Sequence, residues 1–463
     1  MKMRKIMMLL VALSLILVLA ACGSGSNDGA SSDPAPAPST NTSNSGGTDS
    51  GSNNEKNEEP EKPKEPYTMV IYSNSGFQPA DFDHMFRERI EEKFPHITFD
   101  YIMRQTGATI QDLAATGNIP DIIRTDIPTL KADFIDMGLA YDMTDLVNKY
   151  NYDLDQFEDS FVQEIIDYVG TGELYGIPVP PYYGLVLYYN KGLFDAFGVE
   201  YPRDGMTWDE VYELAKVMTR SDGDQMYRGF NSHHNSVLRD NQLSHPILDP
   251  EKDGLADMDT WAKIFQNLKR FYDIPGNQPA ADHSAESNQF NEGNVALYAF
   301  QFNMHYEIDE NIDWDLVSYP LMEGAPKVGG QRGPAYWSIT QQSEHKDEAM
   351  EVIMEMLHRD NQLRLSKEGV PTVLKDEEVR KALGSENPKY IGKNTMALYY
   401  HPAAEPTPKR KPGLVDVPGR TQELILRTAF WEVVTEGKDI NTALREADEK
   451  LKQELEVQAA LEN

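Results

Sequence analysis

Thr68-Met69-Val70-Ile71-Tyr72-Ser73-Asn74-Ser75-Gly76-Phe77 opens the globular part of this chain, and together with the thirty residues after it decides the fold class. Thr68 to Tyr72 is a short apolar run of strand length. Beyond the polar turn, Phe82, Met85, Phe86, Ile90 and Phe94 recur at helical spacing with charges between them, until Pro95 stops the repeat. Ile97, Phe99 and Tyr101 then alternate with polar residues as a second strand. Strand, helix and strand in that order predict a β-α-β unit and an α/β fold. The turn from Ser73 to Phe77 falls at the carboxyl end of the first strand, the edge where open α/β sheets hold ligands.

Downstream, Leu113 to Ile123 reads as helix end, turn and buried strand, punctuated by Gly117 and Pro120. Gly172-Glu173-Leu174-Tyr175-Gly176-Ile177-Pro178 precedes Leu187-Tyr188-Tyr189-Asn190-Lys191 and Leu193-Phe194. Phe197-Gly198-Val199, Pro202 and Thr207-Trp208-Asp209-Glu210 come next. Thr207 at the N-cap and Glu210 three residues on form a capping box, with Val211, Leu214, Ala215 and Met218 as the buried face and Trp208 assigned to the core. Phe290 to Leu297 reads as helix, turn and strand, after which Gln301, Phe302 and Asn303 emerge at a strand end. In this order the segments resemble the extracellular solute-binding proteins of family 1, the maltose-binding-protein-like receptors of ABC importers. The resemblance continues through Gly333 to Thr340, Lys346 to Leu357 and Ile425 to Leu451. Gly384 to Gly419 stands outside it as an insertion of loop and short helix.

The resemblance implies an α/β, two-lobed periplasmic-binding-protein-like fold of type II, its lobes discontinuous, joined by crossover strands and closing over a ligand. Carried onto this chain, lobe one is expected at about 67–180 and 296–335, and lobe two at about 181–295 and 336–463. It further implies a carbohydrate ligand, expected to be an oligosaccharide, delivered to ABC permease subunits in the membrane by a monomeric receptor. Sugar recognition asks for flat apolar surfaces and for planar polar groups that pair with hydroxyls. From lobe one, Asn74, Arg124 and Asp126 are candidate hydrogen-bonding residues, the last two because they follow the strand ending Ile122-Ile123; surface ion pairing is their alternative role. Tyr182 and Tyr183 stand where family members contact ligand. Tyr336 and Trp337 lie on the return crossing, Trp337 being the leading stacking candidate with core packing as its alternative. Phe302 and Asn303 complete the set, with strand-end packing the alternative for Phe302. Arg332 is within reach of a substrate carboxylate, but Gly329-Gly330 beside it favours a solvated loop.

No cofactor and no metal are expected. His233-His234 would point apart in a regular element and lack a spaced third partner. No zincin helix, phosphate-binding loop or dinucleotide fingerprint occurs. The chain is therefore not expected to be an enzyme. A glycan hydrolase using two carboxylates stays open, since no pair among 75 acidic residues stands out, as does a receptor that reports ligand without feeding a pore.

Upstream, Gly23 to Pro66 is rich in Gly, Ser, Asn and Pro with almost nothing apolar to bury, so it is expected to be a disordered tether. As a flexible coil it would reach roughly 35 to 40 Å. Residues 1–21 carry Lys2, Arg4 and Lys5, an apolar run to Leu19 and small residues before Cys22, the single cysteine of 463 residues. That pattern resembles a lipoprotein signal, with Cys22 lipidated and two acyl chains as the membrane anchor. Gly23 after the cysteine and the long tether favour the outer face of a Gram-positive cell membrane, with a periplasmic location as the alternative. The formal net charge of −32 disfavours nucleic acid and anionic lipid surfaces as partners.

Overall fold

The computed structural model describes residues 64–461 apart from Ser75, 170–171, 304–307 and Pro412; the expected signal at 1–21, Cys22 and the expected tether as far as Pro63 lie outside the described residues. Strand β1 (Tyr67–Ser73) runs into the helical segment α1 (79–93) and on to β2 (Ile97–Met103), with which it pairs in parallel; β3 (Ile122–Thr125) lies on its other side, also parallel. Phe82, Met85, Phe86 and Ile90 are the buried face of α1, and Phe94 is buried at its end, as the periodicity predicts. Pro79 opens that helix, where its missing N–H costs nothing.

The chain continues as α2 (Asp159–Val169), β4 (Ile177–Val179), β5 (Leu185–Asn190), α3 (Trp208–Met218), β6 (Asn231–Ser232), α4 (His234–Arg239), α5 (Met258–Tyr272) and α6 (His283–Asn288). Then come β7 (Leu297–Gln301), β8 (Trp314–Ser318), β9 (Ala335–Ile339), α7 (Lys346–Met356), α8 (Arg359–Glu368), α9 (Gly419–Thr435) and α10 (Ile440–Leu461). One sheet has the order β2-β1-β3-β9-β4 and a second the order β8-β5-β7-β6. In the first, β9 runs antiparallel to β3 and β4; in the second, β5 runs antiparallel to β7 and β8, and β6 is parallel to β7.

This sheet membership corrects the lobe boundaries expected from the sequence. The strands at 297–301 and 314–318 do not join the first sheet: β7 and β8 flank β5, with Leu187 opposite both Ala299 and Val317. The crossing comes later. β9 inserts between β3 and β4, and α7, α8 and the segment to Leu398 pack on the first sheet's core, whereas α9 and α10 join the second. An apolar strand such as 297–301 carries no mark of which sheet it will join; hydrogen-bond register across the fold decides.

Alternation along β5 separates two cores. Leu185, Leu187 and Tyr189 pack with Val211, Phe265, Phe430 and Leu451, while Val186 and Tyr188 face a core continuous with the first sheet. The capping box forms as expected: Glu210 N donates to Thr207 Oγ1 at 3.2 Å, and Thr207 N donates to Glu210 Oε2 at 2.8 Å. Gly176 is required by close approach, since a Cβ there would stand 2.9 Å from Ser338 Oγ and 3.0 Å from Tyr336 Cβ on β9. Among the described residues, no helix is long and apolar enough to cross a membrane.

Candidate functional site

Parallel pairing puts the carboxyl ends of β1 and β3 on one edge of the first sheet, together with the end of β4 and the start of β9. In the second sheet, the ends of β6, β7 and β8 and the start of β5 share an edge. The links 180–184 and 319–334 join these two edges directly. A chain from Val179 to Leu185 spans at most about 20 Å, so the two edges must face a common space. Ligands of open α/β sheets sit at such carboxyl edges.

The first edge brings Asn74, Arg124 and Asp126 into one neighbourhood. Asn74 N donates to the Arg124 carbonyl at 2.9 Å, and Asn74 Nδ2 donates to Asp133 Oδ2 at 3.1 Å. Asp126 is exposed and its Oδ1 accepts from Thr129 N at 3.1 Å. Arg124 is buried rather than a surface ion-pairing group; its guanidinium lies 4.3 Å from the Phe77 ring centroid, and burial pulls its pKa down to about 10. Tyr183 is half-buried, close enough to Arg124 for its hydroxyl to influence that group.

Three predicted aromatics are corrected to the core. Trp337 is 0% exposed, with its indole edge-on to Phe86 at 5.9 Å, so it presents no face to a sugar. The register of β9 turns it toward α1, a direction the sequence alone does not encode. Tyr336 is equally buried on the opposite face, where its hydroxyl meets the Phe161 carbonyl at 2.8 Å and Glu164 Oε2 at 3.0 Å. Phe302 is buried and stacks on Tyr390 at 5.5 Å, with the rings 8° from parallel. Asn303 stays half-buried beside it, its N–H donating to the Gln301 carbonyl at 2.7 Å.

Tyr182 lines a cavity of about 230 Å³, walled also by Phe161, Glu158, Arg380, Tyr399 and His401, and its hydroxyl is close enough to Asp240 and Arg332 to feel their charges. Arg380 is ion-paired to Glu158 and lies 4.9 Å from the Tyr399 ring centroid. This cavity adjoins both links, through Tyr182 on one and through Pro402, whose carbonyl accepts from Gly329 N at 2.8 Å, on the other; the polar groups of both sheets converge at the strand ends. The strand ends, with this cavity beside them, make up the candidate site.

Their second wall holds residues that the sequence did not single out. Arg239 donates to both oxygens of the buried Asp240, at 2.5 and 2.8 Å, and Gln301 Nε2 donates to Asp240 Oδ2 at 3.3 Å. Glu423 Oε2 accepts from Asn235 Nδ2 at 2.7 Å and from Arg239 at 3.4 Å. Arg332 reaches across the link to within 3.8 Å of Asp240 Oδ1, while Gln331 N donates to the Asp240 carbonyl at 2.9 Å. The expected solvated loop is thus tied down at this point. On the first-sheet side, burial pushes the Glu164 carboxyl up to about 7, opposed by the Tyr336 hydroxyl and the Arg332 charge. The rule that flagged Arg124 and Asp126, polar residues directly after a strand, also flags His233 and Asn235. It was silent there because β6 has two residues and leaves no alternation to read. No group of histidine, cysteine or carboxylate side chains among the described residues could hold a metal ion.

The sequence pattern of the bacterial extracellular solute-binding proteins matches residues 78–362, more than half of the chain. The chain belongs to that family. No curated protein sequence matches this solute-binding protein. Solved structures similar to it include a sugar transporter from Rhizobium etli in an open conformation, at 18% identity and a TM-score of 0.68, covering 83% of this chain and 99% of that one. An ABC substrate-binding protein from Listeria monocytogenes in complex with cycloalternan is similar at 16% identity and a TM-score of 0.62, covering 84% and 99%. The sugar-binding protein MalE from Xanthomonas citri is similar at 19% identity and a TM-score of 0.63, covering 85% and 99%. At such identities the likeness establishes the two-lobed type II binding-protein fold.

Proposed function

We propose that this solute-binding protein is the lipid-anchored extracellular receptor of an ABC importer, and that it captures an oligosaccharide between its two sheet edges for delivery to a membrane permease. The observation that carries this reading is the convergence of planar polar groups at the two edges: Asn74 and Asp126 on one, Asn235, Arg239, Asp240 and Gln301 on the other. Planar amides, carboxylates and guanidinium groups match the paired hydroxyls of a pyranose ring, and the half-buried Tyr183 and Trp431 supply flat surfaces. The solved relatives from Rhizobium, Listeria and Xanthomonas are named for sugar transport or sugar binding or hold a saccharide, which supports the ligand class.

In this reading lobe one comprises 67–179 and 335–398, lobe two comprises 185–318 and 415–461, and ligand touching both favours the closed form through contacts unavailable when they part. Cys22 carries the lipid and the tether keeps the receptor concentrated near its permease.

Thermal unfolding with an oligosaccharide panel tests the binding role. Ligand at 100 times its Kd should stabilise the protein by about 2.7 kcal/mol, with no product formed. Turnover of any glycan would replace the receptor by a hydrolase. Intact uptake in a strain lacking the gene would sever the importer role.

A further inference from the structure

Helix α9 presents Glu423, Arg427 and Trp431 at successive turns, a stripe about 12 Å long on the wall that α4 and α6 share. Glu423 is occupied by Asn235 and Arg239. Trp431 is half-buried, its rings 5.4 Å from His234 and 5.7 Å from His283. Arg427, between them, is half-buried and has no hydrogen bond, ion pair or ring contact of its side chain among the described residues.

The carboxylates nearby are committed elsewhere. Glu286 takes both guanidinium nitrogens of Arg228, at 2.8 and 2.9 Å. Asp282 caps α6 through Ala285 N at 2.8 Å, and Asp240 is held by Arg239. The imidazoles cannot neutralise Arg427 either. Burial and neighbouring positive charge, that of Arg427 included, lower His233 to about 4 and hold His234 and His283 below their usual range. His283 has both ring nitrogens buried without a partner, so one donor and one acceptor stand unused beside the Trp431 ring. Arg104 and Arg420 also lack a counter-ion, but both are exposed and solvated, and the half-buried Arg220 is occupied by the Val217 carbonyl and the Phe197 ring. A half-buried guanidinium without one carries a desolvation cost that an arriving anion relieves, and its planar fork fits a carboxylate bidentately. One uncompensated positive charge calls for one negative charge.

We propose that the solute is an acidic oligosaccharide, with a uronate carboxylate paired to Arg427 and a pyranose face lying on Trp431. The proposal rests on the carbohydrate reading and narrows it. In a chain of net charge −32, a local cationic anchor is also what lets an anionic solute dwell against the field of the whole molecule.

Calorimetric titration of the purified chain with oligouronide pools cut from pectin, glucuronoxylan and alginate is the test, run beside the methyl-esterified forms of the same pools and neutral pools of equal length. One acidic pool should bind at least about tenfold more tightly than its ester. Arg427→Gln should erase that ratio, and Arg427→Lys, which keeps the charge but loses the fork, should retain part of it. Equal affinity for acid and ester in the unaltered protein, or an unchanged ratio in Arg427→Gln, would overturn the proposal. Preference for a neutral pool would overturn it while leaving the carbohydrate reading intact; silence toward every pool would overturn both.

Discussion

The Tyr336 hydroxyl lies 3.0 Å from Glu164 Oε2 and 2.8 Å from the Phe161 carbonyl oxygen, so its one proton cannot serve both acceptors. Shared between the two, that proton steadies the Glu164 carboxylate only weakly. Burial outweighs it and favours the protonated acid, which is why the Glu164 carboxyl is pushed up to about 7.

Stability should therefore depend on pH through Glu164. Its folded pKa exceeds its unfolded value near 4.5, so the contribution is full below pH 4.5, declines as pH rises, and is gone above about 7. Because the side chain keeps partial solvent access, the loss should be on the order of 2 kcal/mol. Glu164→Gln should flatten this part of the profile, being more stable than the parent at pH 8 but not at pH 4.5. Urea unfolding at a series of pH values reads this out, and parallel profiles for the two proteins would contradict it.

Trp337→Ala should act on folding rather than as the loss of a sugar platform. The indole is fully buried against Phe86, and its removal leaves a cavity costing about 3 to 5 kcal/mol. Guanidinium unfolding measures the loss; a change below about 1 kcal/mol would place the ring outside the core.

Glu286→Gln should be severe. Arg228 and Glu286 are both buried and joined by two hydrogen bonds, so the substitution strands an arginine charge in the interior at about 3 to 5 kcal/mol. Glu286→Gln paired with Arg228→Met removes both charges and should recover much of that loss in thermal unfolding. No recovery would mean that the pair matters for packing rather than charge.

Thr207→Ala should cost about 1 kcal/mol by uncapping α3, with the Glu210 N–H left without its side-chain acceptor. Thr207→Ser should keep most of the stability. Equal unfolding midpoints for the Ala and Ser variants would show that the cap is replaced by solvent.

Much of this architecture was present in local patterns. The apolar spacing of Phe82, Met85, Phe86 and Ile90, the alternation of Ile97 and Phe99, and the Thr207 to Glu210 box each depend on residues within one or two turns. Short-range sterics and hydrogen bonding decide such elements whatever surrounds them, so the α/β class and the first-edge cluster of Asn74, Arg124 and Asp126 were legible in the sequence by itself. Tertiary structure decided the rest. Whether 297–301 joins the first sheet or the second depends on pairing with strands a hundred residues away, and on that pairing hangs the division into lobes. Trp337 and Tyr336 are adjacent aromatics with the same sequence signature, yet register sends one to α1 and the other to α2, and neither to the cleft. The second wall, from Arg239 and Asp240 through Gln301 to Glu423 and Arg427, assembles from segments nearly two hundred residues apart. Its electrostatics exist only once burial strips water from charges that, in the unfolded chain, are all solvated alike.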